Sequence, residues 1–570
     1  MTCEDMIYSN DYEDFIINYL GGYEGGMEYY QDGCVNPIIE NIAIFHRPRR
    51  GYFLTNLEST PYSFIPKLYG LMDTTNLDAT GVSVLQRENG LNLDGKNVLI
   101  GVIDTGLDYQ NELFYNLVND KKISRVVAIW DQTEKGLEKG ELVSYGTVYE
   151  QEEITQALNA SDALQIVPSI DENGHGTFLT GVAAGKESLE NNFCGVAPEA
   201  DIAVVKLKEA KPYLKEYFGV ESEAVAYQET DIICGVQFLK KLARQRNQPV
   251  SILIGVGTSN GGHYGTTFLE RYVDATFEDV GIMVSVPAGN EGNERLHYSG
   301  SFEPEQDYQQ VELNVAENQE AIVLEFWGKS PTTYGLGLIS PQGDQIEKIP
   351  PRFGQEEEFM LPLTGSKVYV AYQFVEIYTG NELIFVRITK PTPGIWRLLV
   401  YANEGSRRDY DIWLPLRQFQ KEDTYFLISN PENTVVNPGN GVLPMTIGAI
   451  NHLNGSLYAA GSRGFNSLNQ VVPTLVAPGV NILGPGLRNN FVTRTGTSVS
   501  AAHSAGMMAL FLQWNEKYED TVGYFYPTQI KNLFIRNAIR RKNMVYPNSI
   551  SGYGFMNIEN VFDDFRVVGS

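Results

Sequence analysis

The stretch "LDGKNVLIGVIDTGLD", residues 93 to 108, decides the fold. It holds a continuous apolar run, Val98 to Ile103, that stops at Asp104. A run without polar alternation is typical of a strand that is buried on both faces of a parallel sheet. Its end sets Asp104 at the carboxyl edge of that sheet, where ligands of α/β proteins bind.

Similar runs recur along the chain, in "ADIAVVKL" (200 to 207), "VSILIGVG" (250 to 257) and "VGIMVSVPAGN" (280 to 290). Helix-like stretches such as "TDIICGVQFLKKLARQRN" lie between them. This alternation predicts an α/β fold with a doubly wound parallel sheet. Residues 497 to 518, with small side chains first and an apolar body, predict a long helix in the core.

The pattern changes after about residue 300. Residues 301 to 428 alternate polar and apolar side chains with frequent Pro and Gly, so we predict an inserted all-β sandwich. Its role is open between rigidifying the α/β unit and binding a partner. The predicted domains are therefore 1–73, 74–300, 301–428 and 429–570, the second and fourth forming one α/β unit.

Composition excludes several classes of protein. The net charge of −27 argues against a nucleic-acid partner, because phosphate contacts need clustered cations. No apolar run reaches the roughly 18 residues of a membrane helix, so no membrane insertion is expected. The N-terminus lacks the basic and apolar regions of a signal peptide, which predicts a cytoplasmic protein at synthesis.

The N-terminal stretch and the cysteines give weaker signals. Residues 1 to about 32 carry eight acidic residues and no Lys or Arg, and are expected to be a leader or tail. The four cysteines, Cys3, Cys34, Cys194 and Cys234, are too scattered for a disulfide framework. We expect free thiols and a reducing compartment.

Three short motifs each combine Gly with one reactive side chain: "VIDTG" with Asp104, "NGHGT" with His175 and "GTS" with Ser498. Singly, each has an ordinary structural interpretation as a turn, a loop residue or a helix N-cap. Together they supply the orienting carboxylate, the imidazole base and the hydroxyl nucleophile of a catalytic triad. Their order along the chain is that of subtilisin.

A fourth element completes the predicted site. "VSVPAGNEG" ends a buried run at Ala288, Gly289 and Asn290. The Asn290 amide is a candidate donor to an oxyanion, together with the backbone N–H of Ser498 at its helix N-terminus.

With these residues the chain resembles the subtilisin-like serine proteases, the subtilases. The motifs above, together with "GVAPEA" (195 to 200) and "APGVNI" (477 to 482), follow the family order. The resemblance implies that Ser498 is the nucleophile, His175 the general base and acid, Asp104 the orienting carboxylate and Asn290 the oxyanion donor.

The resemblance also implies where substrate binds. Ile254, Gly255, Val256 and Gly257, and more loosely Val225 to Tyr227, match the substrate-binding edges, and Ala288 and Gly289 are assigned to the same surface. A peptide held there as an added strand makes a protein chain the expected substrate. Gly255 and Gly257 are expected to leave room for a substrate side chain.

Two positions depart from the family pattern. His503 stands where many subtilases carry Pro, and Phe178 where many carry a second His. We expect local packing changes at both, with a proton-transfer or ligand role for His503 as the alternative. The remaining histidines, His46, His263, His297 and His452, are isolated in sequence and expected to be structural or solvent-facing. No cofactor or metal is predicted; calcium, common in subtilases, is left open and unassigned.

"YSFIPKLYGLMDTTNL" (62 to 77), "AYQETDIICGVQFL" (226 to 239) and "GVGTSNGGHYG" (255 to 265) resemble the clostridial germination-specific Csp proteases. This implies an α+β prodomain at 1–73 that occupies the cleft, a self-cleavage between Tyr69 and Thr74, and a jelly-roll insertion. The implied substrate is the precursor of a spore cortex-lytic enzyme, and the implied location is the spore. Some members lack triad residues, so a silent scaffold or sensor and a prodomain-inhibited latent enzyme are the alternatives.

Overall fold

The computed structural model of the chain describes residues 2–18, 33–39, 42–49, 60–71, 82, 93–136, 142–303, 305–403 and 408–566. Its N-terminal segment, which we define as residues 2–71, begins with a helix and a small sheet. The elements are α1 (Cys3–Tyr8), β1 (Tyr12–Asn18), β2 (Cys34–Ile39), β3 (Ile42–Pro48) and β4 (Leu68–Leu71). Strands β1, β3 and β2 pair antiparallel in that order.

The first part of the α/β unit follows. Its strands are β5 (Leu99–Asp104), β6 (Tyr115–Val118), β7 (Lys121–Ser124), β8 (Val126–Asp131), β9 (Thr147–Glu150), β10 (Asp201–Lys206), β11 (Tyr227–Gln228), β12 (Val250–Ile254), β13 (Val256–Gly257) and β14 (Ile282–Pro287). Its helices are α2 (Gln151–Leu158), α3 (His175–Ala184), α4 (Pro212–Tyr217), α5 (Glu229–Arg246) and α6 (Phe268–Asp274).

An inserted pair of antiparallel sheets, which we call the β insertion, spans residues 297–426. Its strands are β15 (His297–Ser301), β16 (Gln309–Val315), β17 (Ala321–Gly328), β18 (Tyr334–Ile339), β19 (Gln345–Ile349), β20 (Glu356–Met360), β21 (Lys367–Gln373), β22 (Glu382–Thr389), β23 (Gly394–Ala402), β24 (Asp409–Trp413) and β25 (Tyr425–Phe426). One sheet runs β15-β24-β17-β22-β21-β20 and the other β19-β18-β23-β16-β25. Apolar side chains of both sheets, including Phe326 and Trp396, share one core.

The chain then returns to the α/β unit. The elements are β26 (Met445–Ile450), β27 (Leu475–Pro478), β28 (Ile482–Pro485), β29 (Phe491–Arg494), α7 (Thr497–Lys517), α8 (Glu519–Val522), α9 (Pro527–Arg536) and α10 (Ile558–Arg566). Within the described ranges the central sheet has the order β27-β26-β14-β12-β5-β10-β8-β9. All its pairs are parallel except β8 with β9, which confirms the predicted α/β class.

Strand β5 lies inside this sheet and is buried on both faces, as its apolar run predicts. Ile100 and Val102 pack into the core that holds α3 and α7. Leu99 and Ile103 pack into the opposite core, with α5. The alternation follows from the period-2 geometry of a strand. It sets Asp104, at the strand end, beside the first turn of α3 and the start of α7.

The acidic N-terminal stretch is not a tail where the structure describes it, because residues 3–18 form α1 and β1. Its charges find partners far along the chain. The carboxylate of Asp14 is buried against Nζ of Lys211 at 2.7 Å and Nδ1 of His46 at 2.6 Å. The Lys211 ammonium and the hydrogen bond to His46 hold the pKa of Asp14 well below its usual range despite its burial.

The expectation of free thiols is wrong for two of the cysteines. Cys3 and Cys34 form a disulfide that joins α1 to β2, with 5.5 Å between their Cα atoms. Cys194 and Cys234 remain thiols. The cysteines therefore no longer indicate a reducing compartment. Over the described residues, no helix combines the length and the apolar character needed to span a membrane.

Candidate active site

Asp104 and His175 meet where β5 ends and α3 begins. Nδ1 of His175 lies 2.7 Å from Oδ1 of Asp104, and both side chains are buried. Gly174, the N-cap of α3, has φ of +83°, a left-handed conformation that glycine adopts without strain. The turn therefore brings the imidazole at the helix start back over the strand end.

Ser498 completes the arrangement from α7. Its Oγ lies 3.2 Å from Nε2 of His175. It is the second residue of the helix, so its backbone N–H belongs to the first turn, where no carbonyl four residues back is available. The structure thus brings the three predicted triad residues into one chain of contacts, Asp104 to His175 to Ser498.

Asn290 is oriented by the residue that precedes the serine. Its Oδ1 accepts from the backbone N of Thr497 at 3.1 Å and from the Thr497 hydroxyl at 3.2 Å. The same hydroxyl accepts from the backbone N of Gly289 at 3.0 Å. Because two donors hold Oδ1, Nδ2 is the donor end of the amide, as an oxyanion role requires.

The glycines of the predicted substrate edge serve packing. A Cβ atom added to Gly255 would lie 2.0 Å from Oδ2 of Asp104, and one added to Gly257 would lie 2.5 Å from Val436. Gly255 therefore makes room for the carboxylate. That these two glycines also leave space for a substrate side chain stays a prediction.

A strand from the N-terminal segment lies along the predicted substrate edges. Strand β4 forms a sheet between β11 and β13, antiparallel to both. Tyr69 pairs with Tyr227, and Leu71 pairs with Val256. Ile254 is not in this sheet but ends β12 in the central sheet. The edge that sequence analysis predicted is thus filled by a segment of the same chain.

Buried polar contacts hold the segment before β4. The backbone N of Lys67 donates to Glu229 at 3.1 Å, and the backbone N of Glu229 donates to the Lys67 carbonyl at 2.8 Å. Tyr62 donates its hydroxyl to Oε1 of Glu325 in the β insertion. Burial raises the pKa values of Glu229, Glu325 and Tyr62. Sequence analysis missed this junction, because its residues lie up to 263 positions apart.

The departures from the family pattern behave as packing residues. His503 is buried, its Nδ1 lies 2.9 Å from the carbonyl of Val499, and burial lowers its pKa to about 3. The hydrogen bond to the backbone of its own helix and the burial of the ring agree with the expected packing role. Phe178 is buried on α3 against Gly484.

The other histidines are less isolated than expected. His263 and His297 both stack on Trp413, with ring centroids 4.4 and 4.8 Å apart from it. His297 also lies 3.0 Å from Oδ1 of Asp411. These contacts agree with the expected structural role for both residues.

In the part of the chain that the structure describes, no cluster of three His, Cys, Asp or Glu side chains has the arrangement to hold a metal ion. Calcium therefore stays unassigned.

Asp171 is a further residue near the site that sequence analysis did not single out. It is buried and lies four positions before His175, in "DENGHGT". A carboxylate just before the predicted triad histidine, at a helix start, is the sequence signal that was available.

Comparison with known proteins gives one family and several relatives. A model described as the subtilase family matches residues 95–308 and 419–554. Among curated proteins, Subtilisin-like protease 1 of Pseudogymnoascus destructans is 29% identical over 132 residues, 23% of this chain and 26% of that protein. Subtilisin-like protease SBT3.8 of Arabidopsis thaliana is 28% identical over 169 residues, 26% of this chain and 20% of that protein. The matched regions thus span about a quarter or less of those relatives.

Among solved structures, the CspB protease of Clostridium perfringens is similar over most of the chain. The identity is 28% with a TM-score of 0.75, and the match covers 85% of this chain and 97% of that one. The family match is interrupted between residues 308 and 419, within the β insertion, whereas the structural match extends over more of the chain.

Proposed function

The chain belongs to the subtilase family as a subtilisin-like serine peptidase, and on that premise we propose that Asp104, His175 and Ser498 form its catalytic triad. The observation that carries this proposal is the pair of contacts made by one imidazole, 2.7 Å to the carboxylate and 3.2 Å to the hydroxyl. No comparison assigns these residues, so the roles rest on this geometry and on chemistry.

In the proposed reaction, Nε2 of His175 takes the proton of Ser498 as Oγ attacks the peptide carbonyl. Asp104 accepts from Nδ1–H and stabilises the imidazolium that forms. The tetrahedral oxyanion is held by Nδ2 of Asn290 and the backbone N–H of Ser498. His175 then protonates the leaving amine, and water hydrolyses the acyl-enzyme by the reverse sequence of proton transfers.

A peptide substrate would take the place that β4 occupies. Backbone hydrogen bonds to β11 and β13 bind a chain in extended form with little dependence on its side chains. Val256 and Gly257 lie in the edge strand, and Ala288 and Gly289 directly precede Asn290 in the chain. This arrangement supports a protein chain as the substrate.

We interpret the N-terminal segment as a prodomain that occupies its own cleft. The register of β4 with β13 supports this, since it runs from Gly70 opposite Gly257 to Leu71 opposite Val256. Val256 follows Gly255, where an added Cβ would lie 2.0 Å from Oδ2 of Asp104. Strand β4 therefore ends at Leu71 beside the proposed triad.

We expect self-cleavage within three residues after Leu71, inside the interval Tyr69 to Thr74 predicted from the sequence. Residues 72–74 lie outside the described residues. Intact-mass and N-terminal sequencing of purified protein will locate the cut, with Ser498→Ala as the uncut control. An intact wild-type chain, or a cut in the Ser498→Ala variant, contradicts self-processing.

The junction at Tyr62 is expected to retain the prodomain after the cut. Tyr62 is buried between Phe218 and Trp327, and its hydroxyl donates to the buried Glu325. Glu325 also accepts from Asn260 and the backbone of Gly261, both at 2.8 Å. Removing one partner from a buried polar group costs about 1–3 kcal/mol. The Tyr62→Phe change is therefore expected to raise the dissociation constant of the cut prodomain about 10- to 100-fold.

Native mass spectrometry of the processed enzyme measures that retention. Tyr308→Phe serves as the control, because Tyr308 lies on the exposed surface of the β insertion. Equal retention in both variants contradicts a role for the Tyr62–Glu325 contact.

For the substrate, we propose limited proteolysis of a protein precursor, such as that of a spore cortex-lytic enzyme, in keeping with the resemblance to Csp proteases. The experiment is to incubate the purified enzyme with candidate precursors and to sequence the new N-termini. A single new terminus in one precursor supports the proposal. Failure to cut any precursor, from an enzyme that still cleaves unfolded protein, rules that substrate class out.

The alternative is a subtilase-fold scaffold or sensor without catalysis, or an enzyme that its prodomain keeps latent. Covalent labelling by a fluorophosphonate separates these, since a silent scaffold is not labelled at Ser498 and a latent enzyme is labelled only after the prodomain leaves.

A further inference from the structure

Asp171 accepts hydrogen bonds from the residue that follows Asp104 and from residues on either side of His175. Its Oδ1 accepts from the Thr105 hydroxyl at 2.9 Å and from the backbone N of Asn173 and of Gly174, at 3.0 and 2.8 Å. Its Oδ2 accepts from the backbone N and the hydroxyl of Thr177, at 2.9 and 2.7 Å. All five partners are donors, so both oxygens of Asp171 act as acceptors.

These partners flank the catalytic residues in sequence. Thr105 follows Asp104 directly, while Gly174 and Thr177 lie on either side of His175. The Thr105 hydroxyl also accepts from the backbone N of Gly176 at 2.9 Å. The loop after β5 and the first turn of α3 are thus tied together through one buried carboxylate and one hydroxyl.

The negative charge has a second favourable partner in the helix itself. Helix α3 begins at His175, and its unpaired N–H groups give its N-terminus a partial positive charge. Asp171 lies at that end, so the carboxylate stabilises the turn that presents the imidazole.

We propose that Asp171 is a positioning residue that sets the placement of His175 relative to Asp104. It contacts neither Ser498 nor the β11–β4–β13 sheet in the hydrogen bonds described above. Its effect on the reaction therefore passes through the alignment of the imidazole, where an error of about 1 Å costs on the order of 100-fold in rate. The inference rests on the proposed triad.

The Asp171→Asn change keeps the shape and directs an NH₂ group at donors that need an acceptor. We expect kcat to fall about 10- to 100-fold, with KM within about twofold of wild type, because substrate binding is untouched. Active-site titration with a fluorophosphonate counts competent sites, so kcat is obtained per site and misfolded protein does not contribute.

A second pair of variants keeps the test independent of how well Asp171→Asn folds. Thr105→Val removes the linking hydroxyl with little change in shape, and Thr105→Ser retains it. We expect Thr105→Ser to keep kcat within about threefold of wild type and Thr105→Val to lose about tenfold or more.

The matched control is Asp344→Asn. Asp344 is a buried carboxylate of the β insertion that accepts from the backbone N of Leu363 and of Thr364, at 2.9 and 3.0 Å. The Asp344→Asn variant is expected to have a lower Tm than wild type and the same kcat per site. Wild-type kcat per site in both Asp171→Asn and Thr105→Val overturns the proposal. Full activity in Ser498→Ala, by contrast, would overturn the triad itself.

Discussion

Replacement of Ser498 by alanine is expected to lower kcat for a peptide substrate by on the order of a millionfold, the loss that follows removal of the nucleophile from a subtilisin triad. The cause is chemical, because Oγ of Ser498, 3.2 Å from Nε2 of His175, is the atom that attacks the peptide carbonyl in the proposed reaction. The fold should be retained, since alanine is tolerated in a helix interior. Steady-state assay of purified protein, with thermal unfolding to confirm the fold, measures both effects.

Ser500→Ala is the matched control for that experiment. Ser500 lies two residues further along the same helix, and its hydroxyl donates to the carbonyls of Ala477 and Pro478, at 3.0 and 3.1 Å. Its removal is expected to cost stability but to leave kcat within a few-fold of wild type. Comparable activity in Ser498→Ala and Ser500→Ala would remove Ser498 from the mechanism.

Replacement of Asn290 by alanine is expected to lower kcat about 100- to 1000-fold while KM changes little. The amide is positioned for charge that develops only in the transition state, so its loss leaves ground-state binding intact. The buried Thr497 would lose the acceptor of its backbone N–H and of its hydroxyl, so a lower Tm is expected as well.

Asn293→Ala controls for the loss of a neighbouring amide. Asn293 is on the exposed side of the same segment and donates to the carbonyl of Ala459 at 2.7 Å. Its replacement should leave both kinetic constants near wild type. A rise in KM with unchanged kcat in Asn290→Ala would assign that residue to substrate binding and contradict the oxyanion role.

The sequence was sufficient for the α/β fold and for the candidate triad because both depend on local patterns. The run Val98 to Ile103 predicts a strand that is buried on both faces. The order of the Asp104, His175 and Ser498 motifs along the chain is that of subtilisin and so favours the subtilisin topology. The structure confirms the fold class, and it brings the three side chains into contact. Their catalytic roles stay a prediction until they are measured.

What sequence analysis missed depends on long-range partners. The acidic stretch around Asp14 looked like a solvated tail because the partners of that carboxylate, Lys211 and His46, lie outside the stretch in sequence. The pairing of Cys3 with Cys34 was equally inaccessible, since spacing alone does not show which of four cysteines pair or that any of them do.

The contacts of Asp171 could not be predicted from the sequence either, for a third reason. Nothing in "DENGHGT" distinguishes a carboxylate that caps a helix from one that also binds the loop after a distant strand. The link to Thr105 spans 66 positions and appears only when the sheet is assembled. The same holds for Glu325, whose contacts join the β insertion to two other parts of the molecule.

The most direct test of the central claim is to locate the site of covalent labelling. Protein that hydrolyses a peptide substrate is treated with a fluorophosphonate, digested, and its adduct mapped by tandem mass spectrometry. The triad predicts one adduct, on Ser498, formed in step with the loss of activity and absent from Ser498→Ala. An adduct on another residue, or complete inactivation with Ser498 unmodified, would contradict it.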